Sequence, residues 1–209
     1  MKLQFAIIFL LLATFSYSQK SKIIEGSFKS LKEVKEYNLI FDYTGLEVLG
    51  YNSEEDFLED KMKKRDVDEP GSGKAFRESW FSDRGIRYEP RYIKSFNEYF
   101  KKGEIKVTKN TENTENIEYT MKIHTTYIYS GYNVGVASKE SEVSVVISVF
   151  KTNEPSNLLL VFEINNVRGH YSGDKAVMRG FEFHTGERIG YAYWALGKYF
   201  AKKLRIGIK

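Results

Sequence analysis

Ile117-Glu-Tyr-Thr-Met-Lys-Ile-His-Thr-Thr-Tyr-Ile-Tyr129 sets Ile117, Tyr119, Met121, Ile123, Thr125, Tyr127 and Tyr129 at every second position, with Glu118, Thr120, Lys122, His124 and Thr126 between them. Successive strand side chains point to opposite faces, so this alternation predicts a long, half-buried strand. Val143, Val145, Ile147 and Val149 repeat the pattern. Asn153-Glu-Pro-Ser-Asn157 then turns the chain into a third apolar run, Leu158 to Ile164. Three sequential strands joined by short turns predict an antiparallel sheet.

Downstream, Ile189, Tyr193, Leu196 and Phe200 recur at helical spacing between Glu187 and Leu204. Lys198, Lys202, Lys203 and Arg205 follow at the end where the helix dipole favours cations. Upstream, Tyr37 to Tyr43 reads as a strand closed by Thr44-Gly45. Ser53-Glu-Glu-Asp56 reads as a helix N-cap with acid in its first turn. Asp66 to Lys74 reads as the clearest loop, followed by a helical region from Ala75 that is broken near Gly85 and resumes at Pro90. In its second part Tyr92, Ile93, Phe96, Tyr99 and Phe100 share a face. Ile105 to Thr108 is a short strand. Helices and an antiparallel sheet in this order predict an α+β fold, with helices packed on one face of the sheet and a long C-terminal helix.

The first residues carry a separate message. Met1-Lys2 is a positive start, Phe5 to Phe15 is an apolar run of 11 residues, and Ser16-Tyr17-Ser18 offers small residues for a peptidase. A membrane span needs about 20 apolar residues, so residues 1–18 read as a secretory signal peptide and residues 19–209 as a single α+β domain. The expected localisation is exported, periplasmic or extracellular, without a transmembrane anchor after leader removal. With 29% charged and 15% aromatic residues and only 3 Pro, the chain has the profile of a folded protein rather than a disordered one. The chain has no Cys, which excludes disulfides, thiolate zinc sites and the cysteine that carries a lipoprotein's lipid. A net charge of +4 from dispersed Lys and Arg lacks the concentrated stripe of a nucleic-acid binder.

Chemical motifs are sparse. Gly71-Ser-Gly-Lys74 fails as a phosphate loop, because Asp68 stands where the first Gly belongs and Ala75 where Ser or Thr should follow the Lys. His124, His170 and His184 show no metal-ligand spacing, so no metal or other cofactor is expected. Asp42 and Glu163 lie in apolar strands and are the two carboxylates to weigh for acid–base chemistry, although alternation puts both on a solvated face. Arg77, Trp80, Arg84, Arg87 and Arg91 share one side if the chain stays helical from Phe76 to Tyr92. Arginine and tryptophan contribute disproportionately to binding, which makes Trp80, Arg84 and Arg87 the candidate partner-binding residues. Arg168, His170 and Tyr171, beside Gly169 and Gly173, form a second candidate cluster.

The order of elements, above all the long strand Ile117 to Tyr129, two hairpin strands and a closing helix, resembles envelope accessory domains of curli secretion-channel subunits and of lipoprotein activators of penicillin-binding proteins. The resemblance is one of topology over most of the mature chain and implies a non-enzymatic role. Those relatives are usually lipoproteins, and this chain lacks the lipid-bearing Cys. The expectation is an exported, non-catalytic binding or scaffold module of a bacterial cell envelope that recognises a protein or glycan. The competing expectation is a small secreted carbohydrate-active hydrolase using a carboxylate pair.

Overall fold

The computed structural model describes residues 20–100, 103–109, 117–133, 136–169 and 184–209. Nine strands and four α-helices follow in chain order among these residues: β1 (Lys20–Gly26), β2 (Glu36–Asp42), β3 (Glu47–Val48), α1 (Glu54–Asp68), α2 (Ser72–Asp83), α3 (Glu89–Tyr99), β4 (Lys106–Lys109), β5 (Tyr119–Tyr129), β6 (Tyr132–Asn133), β7 (Ser138–Lys139), β8 (Glu142–Lys151), β9 (Leu158–Arg168) and α4 (Thr185–Gly207). The expected leader lies outside the described residues. Among the described residues no helix is long and apolar enough to cross a membrane.

The main sheet runs β1-β9-β8-β5-β2-β4, with β3 also on β5. Its β5, β8 and β9 strands pair antiparallel as the alternation predicts, and β1 adds a further antiparallel edge. The other half is parallel: β2 lies between β4 and β5 and runs with both. A parallel return needs a crossover, and α1 to α3 supply it between β2 and β4. That crossover, together with α4, builds the helical layer on one sheet face, an α+β arrangement.

Buried rows run across this face. Ile123, Ile147 and Phe162 are paired neighbours, as are Met121, Val149 and Leu160. Ile189, Tyr193, Leu196 and Phe200 of α4 are fully buried against them, as their spacing predicts. Gly197 sits so close to the Tyr92 carbonyl and Ser95 hydroxyl that a side chain there would collide, which is how α3 and α4 pack closely. One buried cluster extends from Phe28 to Leu204.

Three expectations need correction, and one strand was not expected at all. The β5 alternation breaks at Thr126, where a bulge places one extra residue opposite Val145 and Ser144, so Ile128 becomes the buried residue instead of Tyr127 and Tyr129. The Asp66 to Lys74 loop is mostly helix. Asp66 Oδ1 accepts from the backbone N–H groups of Gly71 (3.0 Å) and Gly73 (2.8 Å), and this folds α1 tightly onto α2. Gly71, at φ 90°, takes the left-handed conformation the turn needs. Gly85 and Pro90 do not break the helix, because a π turn over Arg84–Tyr88 carries the chain from α2 into α3. Finally β1, short and mostly exposed, carries no alternation that could have revealed it.

Candidate functional site

Because the chain stays helical through the π turn, the arginines of the Phe76 to Tyr92 segment stand on one continuous stretch, but they divide between two neighbours, Arg77 and Arg84 reaching α1 and Arg87 and Arg91 reaching α4. Each meets a carboxylate of the same chain. Ser53 caps α1 by accepting from the Asp56 N–H (3.0 Å), and this fixes the first turn of α1 beside α2. Glu54, in that turn, pairs with Arg84 and accepts from the Trp80 indole N–H at 2.6 Å. Arg77 donates to both oxygens of Glu55 at 2.6 and 2.9 Å. Arg87 pairs with Asp83 one turn back and donates through Nε to Glu187 at 2.8 Å. Arg91 holds the other Glu187 oxygen and donates to the Glu187 backbone carbonyl at 2.9 Å.

The network therefore locks the first turn of α4 onto the π turn. An extra residue per turn re-aims side chains, and π turns recur where a helix must present groups that regular geometry would not. Here Arg84 turns towards α1 while Arg87 turns towards α4. Trp80 is 3% exposed, with its ring 4.8 Å from that of Phe57. The structure thus places the three expected partner-binding residues as an internal clamp: a buried indole and two guanidiniums committed to carboxylates.

Beside this clamp lies a cleft of about 370 Å³, between α1, α2 and the start of α4. Phe76 and Trp80 supply apolar lining, and Ser79, Asp83, His184 and Thr185 supply polar groups. Arg65 stacks over the Phe76 ring at 4.6 Å and borders the cleft. So Trp80 does contribute to a concave site, through one wall rather than as a projecting ring. Ser79, Asp83 and Thr185 were not singled out by sequence and His184 was weighed only as a metal ligand, and His184 and Thr185 join the cleft from about 100 residues downstream.

The two carboxylates around Arg87 are tuned in opposite directions. Burial raises the Asp83 pKa above the ordinary carboxyl value, and the opposing pull of Arg87 and His184 does not cancel it. Burial also pushes Glu187 up, but hydrogen bonds from Arg91 and Arg87 outweigh it and hold Glu187 below its ordinary value. Two guanidiniums on Glu187 against one on Asp83 account for the difference.

The remaining candidates sit elsewhere. Arg168 ends β9 with Nε donating to Glu142 at 3.2 Å, while His170 and Tyr171 lie outside the described residues. His124 bonds the Thr44 carbonyl at 2.8 Å. Asp42 and Glu163 both lie on the sheet face away from the helices, paired with Lys122 (2.6 Å) and Lys22 (3.0 Å). Hydrogen bonds from Lys122 and Thr44 hold the Asp42 carboxyl well below the usual range, and bonds from Asn165 and Lys22 lower that of Glu163. Neither has the raised pKa that a general acid requires.

No family model matches the chain, and no curated protein matches it. Among solved structures it is similar to a dodecamer of a PelC point variant from Paraburkholderia phytofirmans, covering 87% of this chain and 99% of that one at 9% identity with a TM-score of 0.36. A likeness this distant carries no functional argument.

Proposed function

We propose that this protein is an exported, non-catalytic binding module of a bacterial cell envelope, and that the cleft beside the first turn of α4 receives part of a protein or glycan partner. The observation that supports the reading is the composition of that cleft: two aromatic walls, a hydroxyl-bearing rim and a carboxylate, Asp83, already paired with Arg87. Such a site offers shape and hydrogen bonds without a group poised to react. Export rests on the amino-terminal leader. The test is calorimetric titration of the protein with muropeptides and neutral oligosaccharides, using Ser79→Trp to fill the cleft. A binding component that disappears in Ser79→Trp while the fold is retained supports the reading, and a titration in which every component survives the substitution removes the cleft from the account.

One observation favours the hydrolase alternative. Asp83 and Glu187 flank a single arginine with pKa values pushed apart, the pattern that assigns acid and base roles in a carboxylate pair. Against it, Glu187 is held by two guanidiniums and is not placed to act on a substrate. Release of reducing ends from those oligosaccharides, abolished by Asp83→Asn, would establish the alternative.

A further inference from the structure

The sheet face opposite the helices holds a second concavity, built by a device distinct from the clamp. Opposite Ser144 of β8, both neighbouring strands carry an extra residue. β5 inserts Thr126 between the partners of Val145 and Ser144, and β9 inserts a residue across Asn165 and Asn166, between the partners of Val145 and Val143. Asn166 takes φ 56°, the left-handed region that asparagine tolerates better than other side chains. Matched bulges keep the buried rows aligned on the helical face, where Ile128, Val143 and Val167 pair, and push the inserted residues out on the other. Bulges that re-aim side chains recur beside functional sites.

The result is a groove of about 460 Å³ lined by Glu47, Thr126, Tyr127, Ser144, Asn165 and Asn166. Its scaffold bonds leave specific groups for a ligand. Thr126 donates to the Ser144 carbonyl at 3.2 Å, and Ser144 Oγ accepts from the Asn166 N–H at 3.1 Å, which leaves the hydrogen of the largely buried Ser144 hydroxyl uncommitted by that contact. Asn165 donates one amide N–H to Glu163 at 2.5 Å and keeps its second N–H and its carbonyl. Among the described residues, the Tyr127 hydroxyl, the Asn166 carboxamide and the Glu47 carboxylate have no hydrogen-bond partner. No Lys or Arg lines the groove, which disfavours an anion. Amides, hydroxyls and one carboxylate around an aromatic ring match vicinal sugar hydroxyls, each of which both donates and accepts, while a tyrosine ring stacks on the sugar's C–H face.

We infer that the groove formed by the paired bulges is a binding site for an uncharged saccharide, with Asn166, Tyr127 and Glu47 as its recognising groups. The inference does not depend on the cleft beside α4. The test is a ¹⁵N–¹H correlation titration of the protein with chitotriose and cellotriose, with a short uncharged peptide as comparison. The expected result is saturable shifts of the Thr126, Tyr127, Ser144, Asn165 and Asn166 amides with at least one saccharide and none with the peptide. Asn166→Gly, which keeps the left-handed backbone and removes the carboxamide, should weaken that binding at least tenfold, and Ser79→Trp should leave it unchanged. Should Asn166→Gly lose its fold, Tyr127→Ala and Glu47→Gln decide by the same tenfold criterion. Absence of saturable shifts with either saccharide, peptide binding in the groove, or full affinity in the folded variants overturns the inference. Loss in Ser79→Trp would assign the saccharide to the cleft instead.

Discussion

Gly186, in the first turn of α4, lies directly against the Asp83 carboxylate at the end of α2, so that a methyl group at Gly186 would overlap Asp83 Oδ2 and the carboxyl carbon. Asp83 is itself fixed by Arg87, which is fixed by Glu187 of the same turn of α4. Two helices more than 100 residues apart in sequence are thus keyed together by a missing side chain and a three-member ion chain. The carboxylate also lies at the positive end of the α4 dipole, where a negative charge is favoured.

Gly186→Ala should therefore be destabilising although alanine is the better helix former. Overpacking a filled site costs about 1 to 3 kcal/mol, which for a chain of this length lowers the melting temperature by roughly 3 to 10 °C. Asp83→Ala in the same chain makes room for the methyl group, so the double variant should lose less than the two single losses added together. Thermal denaturation of the three variants checks this.

Arg87→Ala separates a structural arginine from a partner-binding one. Removing it leaves two carboxylates, one of them 2% exposed, short of a cation. Breaking a fully buried pair costs about 3 to 5 kcal/mol, and the part-exposed guanidinium places the expected loss nearer 2 to 3. Urea denaturation should show that loss. A wild-type midpoint would mean that Arg87 contributes nothing to the fold.

The pH dependence follows from the opposite shifts of the two carboxyls. Glu187 titrates below its ordinary value of 4.5 when folded, so its stabilisation is complete above that pH and is lost as pH falls through the folded value. The stability gap between wild type and Glu187→Gln should be constant from about pH 8 to 5 and should narrow below. Asp83 titrates above its ordinary 3.8, so its contribution is present below that pH and is lost as pH rises through the folded value. Asp83→Asn should hence be the milder substitution at pH 7. Stability measured by denaturant titration at several pH values checks both.

The sheet-to-helix packing has a simpler test. Leu196 is fully buried on the face of α4 that covers the sheet. Leu196→Ala should cost about 2 to 5 kcal/mol, whereas a loss under about 1 kcal/mol would contradict the packing.

What the sequence disclosed follows physical lines. β5, β8, β9 and α4 were legible because each buries one face and so carries its period in the order of its residues. β1 was not, because an exposed edge strand leaves no period to read. The bulge at Thr126 was hidden for a related reason: Tyr127 and Tyr129 continue the alternation by composition while the backbone has already changed face. The arginines of the Phe76 to Tyr92 segment were legible as a cluster, but their counter-charges, Glu54 and Glu187, lie some 30 and 100 residues away from Arg84 and Arg87. Only the fold brings them together. The cleft was out of reach for the same reason, since His184 and Thr185 meet Ser79 through the return of α4.

The central claim, a cleft that binds without reacting, is tested most directly by photo-crosslinking in the native envelope. A benzophenone amino acid at Ala75, an exposed residue on the rim of the cleft, reaches C–H bonds of protein and glycan alike. The account predicts an adduct that forms in the wild-type background, vanishes when Ser79→Trp fills the cleft, and releases a ligand of unchanged covalent structure by mass spectrometry. An adduct that persists in Ser79→Trp, or a captured ligand recovered cleaved, would contradict it.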